Sequence, residues 1–184
     1  MTDDRPMGDA SDEELMACVA DGDADAFRCL AARHTGRALA LAVRMTGSRD
    51  DAEDIVQDAL MRVWVTAPRW RPSAAFTTWF HRIVVNRCLD RLRQRPAQPL
   101  ELAAEVPDPA ADALAAVARR QEDELLAAAV AALPDRQRAA LVLTYYEGLG
   151  AAQAATTLDT SVGAIEGLLV RARRFLRDRL RTGE

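Results

Sequence analysis

Apolar positions recur every three or four residues over most of residues 9–95, the spacing of helices that bury one face. Ser11 and Glu14 have the spacing of a capping box, and Asp21-Gly22 ends the short helix that they open. Asp23 can cap a second helix, which runs to Thr46-Gly47. Ser48 caps a third, in which Ala52, Ile55, Val56, Ala59, Leu60 and Val63 share one face while Asp51, Asp54, Gln57 and Asp58 occupy another. Pro68 and Pro72 bound a loop, APRWRPSA, and a fourth helix begins near Ala75. At about 100° per residue, Phe76, Trp79, Phe80 and Ile83 line one side of its first half. Val85, Cys88, Leu89 and Leu92 take the packing side in the second half. Arg87, Arg91 and Arg95 lie roughly opposite, and Arg82, Asn86 and Arg93 form a further polar strip.

The helical pattern breaks over residues 95–112, RPAQPLELAAEVPDPAAD, where Pro96, Pro99, Pro107 and Pro109 remove amide donors. The expected organisation is all-α: a four-helix N-terminal module over 9–95, a flexible acidic, Pro-rich linker over 96–112, and a C-terminal module over 113–182. The C-terminal module opens with a helix through RRQEDELLAAAVAAL, and Pro134, in first-turn position, starts another. Ala155, Asp159, Ile165 and Leu168 then have helix-turn-helix spacing. The small Ala155 lets two helices cross closely, and Asp159 stands where Gly usually turns the chain, tolerating left-handed geometry better than most residues. Val162, Ile165, Leu168, Leu169, Ala172, Leu176 and Leu180 gather on one side of the last helix. Gly163, Gly167, Val170 and Arg174 lie opposite, flanked by Arg171, Arg177 and Asp178. A recognition helix carries such an outward face into a major groove. An ordinary amphipathic helix with a basic C-terminal end has the same pattern.

Composition supports helices and removes several function classes. The 184 residues are 49% hydrophobic but only 5% aromatic, and 37 of them are Ala, which favours closely packed helices. No apolar run approaches the ~18–20 residues that cross a bilayer, and the acidic start has no apolar stretch of the kind a secretory signal needs. Cys18, Cys29 and Cys88 show no C-x-x-C spacing, so a reduced, cytosolic setting is expected. His34 and His81 lack the neighbours of a metal site or catalytic triad, and phosphate-cradling Gly loops, H-E-x-x-H and G-x-S-x-G are missing. No enzyme, metal or cofactor is expected.

Charge adds the clue to a partner. The net charge of −4 averages over alternating blocks: −8 in residues 1–60, +7 in 61–95, −6 in 96–135 and +3 in 136–184. Two DNA-capable surfaces separated by acidic segments fit this alternation. All 24 basic residues are Arg. Trp70, between Arg69 and Arg71 and just before the basic fourth helix, has the composition of a single-strand-binding surface. A solvated basic face is the plainer alternative.

Four stretches together say more than any one. DDAEDIVQDALMRVW, FTTWFHRIVVNRCLDRLRQR, LPDRQRAALVLTYYEGL and SVGAIEGLLVRARRFLRDRL, in this order around a Pro-rich linker, resemble bacterial sigma factors of the extracytoplasmic-function (ECF) group over about residues 11–181. The resemblance implies a promoter-specificity subunit that binds core RNA polymerase. It implies that Asp51, Asp54, Gln57 and Asp58 dock on the coiled coil of the largest polymerase subunit. It further implies that Trp70, Arg82, Asn86, Arg87, Arg91 and Arg93 serve opening and reading of the −10 element. Gly163, Glu166, Gly167, Val170, Arg171, Arg174 and Arg177 would then meet the −35 element as duplex. A cognate anti-sigma protein, membrane-anchored in many cases, is the implied regulator, with no membrane insertion by this chain. Glu166 stands where family members often carry a basic residue, and it could accept from cytosine N4 instead of holding phosphate. Two other classes share parts of this pattern: a sigma mimic that only captures an anti-sigma protein, and a conventional helix-turn-helix repressor.

Overall fold

The computed structural model describes residues 9–72, 75–94 and 125–182, and among these every regular element is helical. The N-terminal module comprises α1 (Asp12–Ala20), α2 (Ala24–Thr46), α3 (Arg49–Thr66) and α4 (Phe76–Gln94). Each of the first three begins at the cap the sequence offers. The Ser11 hydroxyl accepts from the Glu14 amide while Glu14 accepts from the Ser11 amide, a complete capping box. Asp23 accepts from the amides of Asp25 and Ala26, and Ser48 from that of Asp51. Gly47 ends α2 in the left-handed region at φ 68°, a conformation that Gly adopts without steric cost. The start of α4 is held differently: Glu13 of α1 accepts from the Phe76 amide at 3.2 Å.

Leu15, Leu30, Leu41, Met45, Val63, Phe76, Phe80 and Val84 are fully buried where these helices meet. Cys88 is buried among them, and desolvation pushes its thiol up to about 12, which keeps it protonated and inert. The loop between Pro68 and Pro72 is partly ordered by a 3₁₀ turn at Ala67–Arg69.

The C-terminal module contains α5, helical over 125–131, α6 (Asp135–Leu141), α7 (Ala151–Thr157) and α8 (Val162–Thr182). Pro134 precedes α6 as its N-cap residue rather than occupying its first turn, so its missing amide costs no helical hydrogen bond. A wide π-helical turn over Val142–Tyr146, which the periodicity does not announce, follows α6, with the Glu147 amide donating to the Val142 carbonyl five residues back. Asp159 turns the chain between α7 and α8 at φ 49°, the left-handed geometry expected there. Ala155 and Ile165 are buried, as a helix-turn-helix requires, while Leu168 is only half-buried against the same core and Leu169 and Ala172 are buried beside it. The expected linker over 96–112, together with Arg95 and residues 113–124, lies outside the described residues.

Candidate functional site

Three surfaces carry the residues singled out by the sequence. On α3 the buried stripe Ala52, Ile55, Val56 and Ala59 turns Asp54, Gln57 and Asp58 to solvent. Asp51 is half-buried and pairs with Arg91 Nε at 3.3 Å, and Arg91 Nη2 donates to Asp54 at 3.1 Å. Arg91 therefore braces α4 against α3 instead of joining an open DNA-facing strip. Its helical phase, about 160° from Arg93 on a two-residue step of ~200°, already separates the two. The α3 surface also extends further than the polar pattern shows. Met61 and Val65, three and seven residues beyond Asp58, are exposed apolar side chains on the continuation of the same face.

On α4, Arg82, Asn86 and Arg93 are exposed and Arg87 is half-buried. Arg93 donates to Asp90 at 3.0 Å. Trp70 is not the free platform that its setting between two arginines suggests. It is half-buried, with ring centroids 6.5 Å from Phe76 and 6.1 Å from Trp79, so its indole is anchored to the core and only partly open. The 3₁₀ turn at Ala67–Arg69 immediately precedes it, and the Trp70 amide donates to the Ala67 carbonyl at 3.1 Å.

On α8, Gly163, Glu166, Val170, Arg171, Arg174 and Arg177 are exposed and Gly167 is half-buried. Arg171 lies back over Gly167, where an added Cβ would stand 3.4 Å from its Nη1. Arg174 Nε is 3.9 Å from Asp178. The buried stripe is shorter than the helical wheel suggests, because Val162 and Leu180 are exposed at the two ends of α8.

A fourth cluster joins the two modules, and its residues were not legible as a set. Arg37 Nε donates to Glu147 Oε2 at 2.8 Å, and Nη2 donates to the Glu147 carbonyl at 3.0 Å. The Glu147 side chain is only 2% exposed, and His81 Nε2 stands 3.7 Å from it. His81 Nδ1 is buried without a hydrogen-bond partner among the described residues. His34, the other histidine, is held by Asp12 at 2.8 Å.

Burial is the largest cause that lowers the His81 pKa below 6.5; Arg37 and His34 also lower it, and Glu147 opposes them. The unfolded chain therefore takes up this proton more readily than the folded one, so stability falls as pH drops below about 6.5. The slope is at most about 1.4 kcal/mol per pH unit. Melting curves from pH 7 to pH 5 should show a steeper loss for the wild type than for His81→Gln. Parallel curves would place the acid sensitivity elsewhere.

Among the described residues no cluster could hold a metal ion, and no helix is long and apolar enough to cross a membrane. Comparison with known proteins identifies the modules. Residues 30–97 match sigma-70 region 2 and residues 123–176 match sigma-70 region 4. The ECF RNA polymerase sigma factor SigM of Mycobacterium tuberculosis is 37% identical over 166 residues, covering 89% of this chain and 81% of that protein. SigW of Bacillus subtilis, another ECF RNA polymerase sigma factor, is 30% identical over 89% of this chain and 93% of its own length. The solved structure of CnrH in complex with the cytosolic domain of CnrY superposes with a TM-score of 0.71 at 32% identity, covering 95% of this chain and 100% of that one. With two sigma regions in order and relatives that align along most of both chains, this chain belongs to the extracytoplasmic-function sigma factors of RNA polymerase.

Proposed function

We propose that this chain works in the cytoplasm as an alternative sigma factor, with region 2 spanning 9–95 and region 4 spanning 113–182 around a linker at 96–112. It recruits core RNA polymerase through Asp54, Gln57 and Asp58, with Met61 and Val65 extending the contact. Region 2 opens and holds the −10 element with Arg82, Asn86, Arg87 and Arg93, and Trp70 contributes its open edge to stacking. Asp51 and Arg91 hold that surface together from within. Region 4 reads the −35 duplex through the outward face of α8. The observation that carries this reading is that face: burial of Ile165, Leu169 and Ala172 leaves Glu166, Val170, Arg171, Arg174 and Arg177 outward on a helix that follows a well-formed turn. An anti-sigma protein is the proposed regulator, supported by the likeness to CnrH, whose structure was solved with the cytosolic domain of CnrY.

In vitro transcription with core polymerase on a pool of genomic promoters tests the function directly, and selection from a randomised −35 library tests the α8 roles. Arg171→Ala should cost about 1–3 kcal/mol at particular base pairs and relax the preference there. Arg177→Ala should weaken binding to all promoters about equally and reduce its salt dependence. Glu166→Arg should change the preferred −35 sequence if Glu166 accepts from cytosine. Identical preferences for the wild type, Arg171→Ala and Glu166→Arg would assign −35 reading to another surface.

A further inference from the structure

The fourth helix starts without a cap of its own. Ser11, Asp23 and Ser48 cap the helices before it, but Ala75, which precedes Phe76, has no side-chain oxygen to offer. The Ala75 carbonyl takes the amides of Thr78 and Trp79, and the amide of buried Phe76 is left as an orphan donor at the head of the helix. Glu13 of α1 accepts from that amide at 3.2 Å, from 63 positions earlier in the chain. Its carboxylate also stands at the positive end of the α4 dipole. The acid before it, Asp12, supports the Phe76 ring indirectly: it holds His34 Nε2 at 2.8 Å, and the His34 ring lies 5.0 Å from that of Phe76. The acid after it, Glu14, completes the capping box of α1 itself.

We infer that Glu13 is a positioning residue for promoter opening, acting as an α4 cap supplied by another helix. Phe76 is where the aromatic rings meet: Trp70 leans on it at 6.5 Å and Trp79 at 5.8 Å, with 6.1 Å between the two indoles. Both indoles are half-buried, so part of each stays open while the rest lies on the core. Besides holding the first amide of α4, α1 packs against the 3₁₀ turn that ends at Arg69. One short helix therefore supports both the segment that delivers Trp70 and the residue on which Trp70 rests. An indole that stacks on an unpaired base must already stand in place, because a platform ordered only part of the time binds in proportion to its ordered fraction. Glu13 acts through Phe76 and needs no contact with DNA, and its effect on opening rests on the stacking role proposed for Trp70.

Glu13→Ala and Glu13→Gln isolate this role, because Gln keeps an acceptor oxygen at the same reach and Ala keeps none. Glu13 is exposed, so neither replacement disturbs the buried core. Each full-chain variant is assayed with core polymerase on a promoter taken from the genomic pool, by permanganate footprinting of the duplex. Run-off transcription is then compared between the duplex and the same promoter with mismatches that pre-melt its −10 segment. Glu13→Ala should open the duplex about tenfold less well, the factor that loss of one hydrogen bond to a charged group supplies. Glu13→Gln should open it nearly as well as the wild type, and pre-melting should largely relieve the Glu13→Ala deficit. A deficit of equal size on both templates, or one shared by Glu13→Gln, overturns positioning through this hydrogen bond. Trp70→Ala, run alongside, tells two failures apart. Normal opening by Glu13→Ala beside impaired opening by Trp70→Ala overturns the role of Glu13 alone. Normal opening by Trp70→Ala overturns the stacking role of Trp70, and with it the route from Glu13 through Phe76.

Discussion

Placing two cations on the acidic face of α3 by Gln57→Arg with Asp58→Arg should abolish capture of the chain by core RNA polymerase while leaving its fold intact. Both positions are exposed, and the buried stripe beneath them is untouched. Asp54 is deliberately spared, because its pairing with Arg91 would turn a docking test into a test of the α3–α4 brace. Like-charge contact at a recognition surface costs several kcal/mol, and about 3 kcal/mol already corresponds to roughly a hundredfold in affinity. Co-purification with core polymerase measures the effect, with a melting curve to confirm folding. Normal capture of the folded double variant would remove this face from the polymerase interface.

Phe76→Ala should produce the largest loss of stability of any single change in region 2. The ring is 1% exposed and stacks on Phe80 with centroids 5.6 Å apart and planes at 13°. Trp70, Trp79 and His34 close the rest of its surroundings. Truncating a buried Phe to Ala costs about 3–5 kcal/mol, a large part of the ~5–15 kcal/mol that holds a typical domain together. For a module of this size the melting temperature should fall by roughly 12 °C or more. Trp70→Ala should fall well short of that, since its indole is only half-buried, while still impairing promoter opening. Thermal melting and permanganate footprinting of the same two variants separate the roles. A Trp70→Ala variant that melts as early as Phe76→Ala and opens promoters normally per folded molecule would make Trp70 a core residue alone.

Local rules made much of this architecture legible. Ser11, Asp23 and Ser48 cap the helices they precede, because a cap depends only on residues within one turn. The helix-turn-helix is equally local, down to the left-handed Asp159. The candidate site was legible where exposure follows from helical phase, as for Gln57, Asn86 and Arg171. It was not legible where charges meet across elements. Arg91 has the phase of a solvent-facing residue, yet Asp51 and Asp54 lie across the helix interface from it, 40 and 37 positions earlier in the chain. Glu13 on Phe76 and Arg37 on Glu147 likewise join residues 63 and 110 positions apart, and no periodicity encodes such meetings.

The wide turn at Val142–Tyr146 sets a constraint on chain length. An α-helix advances ~100° per residue, so a π-helical turn delays everything after it by about one residue's rotation. That delay aims Glu147 inward at Arg37 and leaves Tyr145 exposed. Deleting one residue from this turn would let α6 continue in regular α-helical register and swing Glu147 about a quarter-turn away from its partner. Insertions and deletions here would therefore be filtered by angle rather than by hydrophobicity, and descendants of this chain should tolerate changes of residue type at positions 144–146 more readily than changes of number.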